Sequence, residues 1–249
     1  MSQRLSPAFD APDNTLALIV LSTDESLEPE AAQICTPAGI RLLHSRIPSL
    51  AEVTPETLAT MAEHLPAAAA LLPGHVDVVG YGCTSGATVI GPERVAELVN
   101  GPLPGARVTN PITAVETALK ALGARRIAYV SPYVASVTAP MRAHLARAGV
   151  ETVAEGSFDV GHDPDVARIT EAAVAAGAET VASGQAVDAV FVSCTNLRSF
   201  GIIDALEARL GLPVISSNLA LIWHMLHLAG LGATPGPGRL FATRPSEIA

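Results

Sequence analysis

Charge is scarce in this chain of 249 residues: Asp, Glu, Lys and Arg make up 16 % of it, and acids outnumber bases 24 to 15. The formal charge of −9 argues against nucleic acid as a main partner, because phosphate binding needs clustered Lys and Arg. It leaves an anionic small substrate open, since a local site can oppose the global sign. Cysteine is also scarce. Three thiols, an odd number, do not suit a disulfide framework, and a reducing, cytoplasmic setting is expected. No apolar run reaches ~18 residues before Gly, Pro or a charge interrupts it, so no transmembrane helix and no membrane partner are expected. Met1 to Asp13 lacks the basic-then-apolar pattern of a signal peptide. Neither Gly-x-x-x-x-Gly-Lys nor Gly-x-Gly-x-x-Gly occurs, which removes the usual nucleotide signatures. Cys-x-x-Cys and His-Glu-x-x-His are missing too, so no metal is expected.

What is present is apolar: 49 % of the residues are hydrophobic, enough for a sizeable core. Short apolar runs alternate with helical patterns. Leu16–Leu21, Arg41–Ile47, Val78–Gly82, Ala106–Thr109, Ile127–Val130, Val150–Ala154, Ala189–Ser193 and Pro213–Ser216 read as strands. Helices are expected over Thr54–Leu72, Pro92–Val99, Asn110–Leu122, Val137–Ala148, Pro164–Ala176, Ile202–Leu210 and Leu219–Leu228. Strand–helix alternation implies parallel sheets covered by helices. Gly105-Ala-Arg-Val-Thr-Asn-Pro111 is similar to Leu212-Pro-Val-Ile-Ser-Ser-Asn218, which suggests an internal duplication. The expected architecture is α/β, two pseudo-symmetric parallel-sheet lobes with the site between them. A tail over 1–14, one lobe over 15–125 with 220–249, and a second over 126–219 complete the expected organisation.

The chemistry concentrates at two matching places. Val78-Val-Gly-Tyr-Gly-Cys83-Thr84-Ser85-Gly86 runs from an apolar strand into a cysteine and then small residues. Val190-Phe-Val-Ser-Cys194-Thr195-Asn196 repeats the arrangement 111 residues later (194 − 83). A lone cysteine after a strand packs as a small hydrophobe. Two in matching settings point instead to acid/base or nucleophilic work on one small acid. A helix N-terminus at Cys83 is expected to lower its pKa and make it a thiolate. Cys35 has no such partner and reads as incidental. His224 and His227 read as core or interface histidines, and His75 and His162 as surface residues.

These motifs resemble a known family. Tyr81-Gly-Cys-Thr-Ser-Gly86 and Ser193-Cys-Thr-Asn196 are similar to the two cysteine motifs of maleate cis-trans isomerases, in the aspartate/glutamate racemase superfamily. Ser131-Pro-Tyr133 resembles the segment carrying that family's substrate-binding tyrosine. Ile19-Val-Leu-Ser-Thr-Asp24 lies where isomerases carry a Pro-Ser-Ser-Asn-like turn. Gly236-Pro-Gly-Arg-Leu-Phe241 resembles the C-terminal segment of the arylmalonate decarboxylase branch. The resemblance implies a cofactor-free enzyme. Cys83 would be the nucleophile that adds to an alkene and gives a succinyl-cysteine, with Cys194 assisting from the opposite side. Thr84, Ser85, Thr195 and Asn196 would hold carboxylates, and Tyr133 would hydrogen-bond one of them. Decarboxylases of this kind keep only the second cysteine, so two cysteines argue against that branch.

The resemblance breaks at Asp24, which stands where isomerases have Asn. An ionised Asp only accepts hydrogen bonds and would repel a second carboxylate. The alternatives are an amino-acid racemase (aspartate, hydroxyaspartate or an ectoine-derived diamino acid) using two thiols as acid and base, an arylmalonate-type decarboxylase, or a non-catalytic acid-binding protein. Asp24 also suits a helix cap. A homodimer or higher homo-oligomer is expected.

Overall fold

The computed structural model describes residues 5–9 and 14–244, so the expected tail over 1–14 lies largely outside the described residues. The first half runs β1 (Thr15–Leu21), α1 (Leu27–Cys35), β2 (Arg41–Ile47), α2 (Pro55–Ala69), β3 (Val78–Gly82), α3 (Thr84–Ile90), α4 (Pro92–Asn100), β4 (Arg107–Thr109) and α5 (Pro111–Ala121). The second runs β5 (Arg126–Ser131), α6 (Ala135–Arg147), β6 (Glu151–Ser157), α7 (Asp163–Val166), α8 (Glu171–Ala182), β7 (Ala189–Val192), α9 (Ile203–Leu210), β8 (Val214–Ser216) and α10 (Ser217–Leu228).

The strands form two four-stranded sheets, β2-β1-β3-β4 and β6-β5-β7-β8, with all pairs parallel. Adding four to each strand number of the first sheet gives the second. Each strand therefore has a counterpart, as the duplicated motifs imply. The central strands β1, β3 and β7 are buried along their whole length, which is why they read as unbroken apolar runs. Local signals set the helix ends. Thr54 caps α2 by accepting the Thr57 N–H, with Pro55 in the first turn, and Asn110 caps α5 through the Thr113 N–H. Gly211 closes α9 at φ +70°, where a side chain would be strained.

Two expectations fail. The helix expected over 164–176 is instead the short α7, a break, and α8. Thr170 starts the second helix by accepting the Ala173 N–H, a cap hidden in an alanine-rich stretch. Helix α1 was expected only as far as Asp24 suited a cap; its length, which buries Cys35 against the core, was not.

The two sheets meet at their strand carboxyl ends. Thr84 Oγ1 is 2.8 Å from Ser217 Oγ, and Thr195 Oγ1 donates to the Gly82 carbonyl at 3.2 Å. Helix α10 leaves β8 and packs against β3, β4 and α5 of the other sheet. Gly80 permits this: a Cβ there would lie 2.5 Å from Met225 Sδ. Among the described residues, no helix is long and apolar enough to cross a membrane.

Candidate active site

All eight residues singled out in the sequence converge on the junction of the two sheets, and all are buried. Cys83 ends β3 and caps α3, its sulfur accepting the Gly86 N–H at 3.2 Å, with Ser85 Oγ 3.7 Å away. Cys194 follows β7 in the equivalent place. Its sulfur accepts the Asn196 N–H at 3.3 Å, and its own N–H donates to Ser217 Oγ at 3.1 Å. Its φ is +148°, a backbone region that suits glycine.

Tyr133, just past β5, connects the site. Its hydroxyl is 3.0 Å from Cys194 Sγ and 2.9 Å from Asp163 Oδ1, and the residue lines the same cavity as Cys83 and Ser85. Asp163 also accepts from Thr23 Oγ1 at 2.6 Å and Asn196 Nδ2 at 3.1 Å, both on its Oδ2. Sequence reasoning missed Asp163. The available signal was an acid directly before Pro164, a few residues past a strand's carboxyl end, where parallel sheets place their ligands.

Asp24 fills the capping role, and it is not among the residues that line the cavity at Cys83. Its Oδ1 accepts the N–H groups of Ser26 and Leu27 at 2.8 Å each and so starts α1. Its Oδ2 is buried with no hydrogen-bond partner. Burial pushes the Asp24 carboxyl up to about 6, the two N–H donors opposing the shift.

Asn196 serves as a joint between lobes. Its Oδ1 accepts the Glu25 N–H at 2.8 Å, and its Nδ2 donates to the Thr23 and Asp163 carbonyls as well as to Asp163 Oδ2. Behind the Cys194 turn, Asn218 Nδ2 bridges the Thr195 carbonyl, 2.8 Å, and Glu30 Oε2, 2.7 Å. Glu30 Oε1 receives the Ser199 and Phe200 N–H groups. Burial nonetheless pushes Glu30 up to about 7.

The thiols correct the expectation of a ready thiolate. Burial pushes Cys83 up to about 12, although the Gly86 N–H and Ser85 hydroxyl pull the other way, and nearby Asp163 and Asp24 raise it further. Cys194 is raised well above an ordinary thiol by burial and then by Asp163. One backbone N–H donor at a short helix is weaker than desolvation between two acids.

The cavity at Cys83 is only about 20 Å³ and is closed over by Ser49, Leu50, Glu52 and Val53. That is room for about one water molecule. The covering segment is fastened to the other lobe: Val53 N–H donates to the Gly161 carbonyl at 3.0 Å and Asp163 N–H to the Ala51 carbonyl at 2.8 Å. A larger cavity of about 630 Å³, lined by Glu116, Lys120 and Arg125 among others, contains neither thiol. His224 belongs to the core. Its Nδ1 is 2.8 Å from Thr109 Oγ1, and burial lowers it to about 4. Among the described residues, no cluster of His, Cys, Asp or Glu is arranged to hold a metal.

A thiol on each of two matched strand ends, facing one buried acidic junction, defines a two-cysteine α/β enzyme site. The chain belongs to the arylmalonate decarboxylase family, whose model matches residues 16–241. It is 34 % identical to the arylmalonate decarboxylase of Bordetella bronchiseptica over 140 residues, an alignment spanning 55 % of this chain and 58 % of that protein. Similarity to the maleate isomerase of Nocardia farcinica is lower, 27 % over 237 residues, but covers 90 % of this chain and 94 % of that one. The structure of the Nocardia farcinica maleate cis-trans isomerase, a cysteine-to-serine variant with a covalently bound succinylcysteine intermediate, superposes with a TM-score of 0.80 at 26 % identity. It covers 92 % of this chain and 98 % of that one.

Proposed function

We propose that this protein is a cofactor-independent isomerase that converts a small cis-unsaturated carboxylic acid to its trans form through a covalent adduct on Cys83. The observation that carries this reading is the placement of Cys83 on the cavity wall, with Cys194 joined to the same cavity through Tyr133. The Nocardia relative, similar over nearly the whole chain, supports it.

In this reading Cys83 gives up its proton as its sulfur bonds one alkene carbon. The alkene electron pair moves to the neighbouring carbon, which takes a proton from the Cys194 side. The former double bond is now single and rotates. Removal of that proton expels the sulfur and leaves the trans acid; Cys83 regains its proton. The sum is addition and loss of a thiol S–H, with no redox change. Ser85, on the cavity wall, holds one substrate carboxylate; Thr84, whose hydroxyl donates to Ser217, and Thr195 and Asn196 shape the turns around it. Burial pushes Cys83 up to about 12, so in this reading its proton leaves in the same step in which the sulfur bonds carbon. The same reading places the protein in a reducing compartment, where its three free thiols persist.

Proton NMR with maleate in heavy water tests the reaction: a fumarate signal is expected. In Cys194→Ser, mass spectrometry of the intact chain is expected to find one substrate molecule added, mapping to Cys83. A Cys83→Ala variant that keeps the wild-type rate removes the assignment.

A further inference from the structure

The cavity and the junction around it carry negative charge without a counter-ion. Two lining residues, Glu52 and Asp163, are acids, and among the described residues no Lys, Arg or His lines the space. A third acid, Asp24, is buried close enough for its charge to raise both Cys83 and Cys194. The nearby Arg46 is turned elsewhere: its guanidinium donates to the Leu21, Ser22 and Asp24 carbonyls and to Glu28.

Acceptor capacity is also left over. A carboxylate has about four lone-pair sites. Asp163 uses three, for Tyr133, Thr23 and Asn196, and its Oδ1 has one to spare. Asp24 uses two, both on Oδ1; the nearby Thr195 hydroxyl, whose charge-stabilising effect reaches Asp24, gives its proton to the Gly82 carbonyl, and among the described residues Oδ2 is buried without a donor. A buried acceptor without a donor is costly, and a ligand that supplied one would relieve it. A dianion supplies none. Its second carboxylate would meet Asp24 and Asp163 as like charges with every oxygen an acceptor.

We propose that the acid taken by this site carries a single carboxylate and, in place of a second, a nitrogen that donates hydrogen bonds to Asp24 Oδ2 and Asp163 Oδ1. The monoamide of a cis-butenedioic acid fits the description: the same four-carbon alkene, one charge, and two amide N–H donors. This rests on the isomerase reading for the alkene, but the preference for a nitrogen donor concerns binding alone and is tested separately.

Saturated analogues cannot add a thiol, so they report binding without chemistry. Isothermal titration of the wild-type chain at about pH 8, where Asp24 is ionised, compares succinamate, β-alanine and succinate. Succinamate or β-alanine is expected to bind at least about tenfold more tightly than succinate. Succinate binding as tightly as both, or no binding by any of the three, overturns the proposal. Asp24→Asn keeps the size and the capping oxygen, Asp163→Asn keeps the size and one accepting oxygen, and each is expected to move the ratio about tenfold toward succinate. A folded variant, by circular dichroism, that leaves the ratio unchanged overturns the assignment of that residue. Turnover separates the two readings. Tight succinamate binding without cis–trans conversion of maleamate or maleate sinks the isomerase and leaves the ligand class standing. Conversion of maleate faster than maleamate sinks the ligand class and leaves the isomerase.

Discussion

Tyr133 gives its only hydroxyl proton to Asp163, 2.9 Å away. Its 3.0 Å contact with Cys194 must then run the other way, from the thiol S–H to the phenol oxygen. Asp163 thereby holds Cys194 in its protonated state and aims its proton, which suits a donor rather than a nucleophile. The two cysteines, alike in sequence, are made unlike by their neighbours.

Removing that aim tests the asymmetry. Tyr133→Phe keeps the ring and deletes the link between Asp163 and Cys194. We expect kcat to fall by about 10² to 10⁴, the usual range for a lost general acid. KM should change far less. Steady-state kinetics on the wild type and the variant decide it; a loss confined to KM would make Tyr133 a binding group only.

Cys194 sits on backbone that glycine would prefer, at φ +148°. Such a conformation costs on the order of 1–3 kcal/mol in a residue with a Cβ. Cys194→Ala keeps the Cβ and the strain; Cys194→Gly removes both. The glycine variant is expected to be about 1–2 kcal/mol more stable than the alanine variant in urea unfolding, after the entropy glycine loses on folding. Both should be inactive. Equal midpoints would mean that the turn carries no strain.

Gly86 gives Cys83 its hydrogen bond and also leaves it room. A Cβ at this position would lie 2.9 Å from Cys83 Sγ, 2.7 Å from the Tyr81 hydroxyl and 2.6 Å from Met61 Cε. Gly86→Ala retains the N–H but forces the sulfur or its neighbours to shift. Overpacking of this kind costs typically about 1–3 kcal/mol. A displaced nucleophile should slow the reaction by about 10²-fold. Thermal unfolding and kcat measured on the same sample check both.

The buried acids give stability a definite pH dependence. Glu30 rises from 4.5 to about 7 on folding, so the folded chain holds this proton more tightly than the unfolded one. Its contribution is therefore full below about pH 4.5 and is lost as pH rises through 7. Asp24 acts with the same sign between 3.8 and about 6. From Glu30 alone the loss is on the order of 3 kcal/mol. Urea midpoints across this range should fall as pH rises, and Glu30→Gln should flatten the slope. The variant should also lose about 1–3 kcal/mol overall, because its amide must face the Asn218 donor now on Glu30 Oε2.

The sequence exposed the parts of this site that are encoded locally. Cys83 and Cys194 were legible because each follows an apolar strand and precedes small residues, and the matched contexts implied two similar sheets. Thr54 and Asn110 announced their helices by cap chemistry. Asp163 was invisible for the opposite reason: its partners Tyr133, Thr23 and Asn196 lie 30, 140 and 33 residues away. The thiol pKa values were misjudged because a helix N-terminus shows in sequence whereas desolvation by distant segments does not. Asp24 offered two roles, and the fold shows the capping one, through Oδ1.

The reach of α10 has a consequence for how the chain can be divided. This helix is made last, yet it lies on β3, β4 and α5. A polypeptide cut after residue 125 would leave its amino-terminal fragment with a bare apolar surface where Met225 and its neighbours belong. Neither fragment should be soluble by itself, whereas the two expressed together should reassemble. If separate ancestral halves ever existed, the first would have depended on the final helix of the second to cover its sheet.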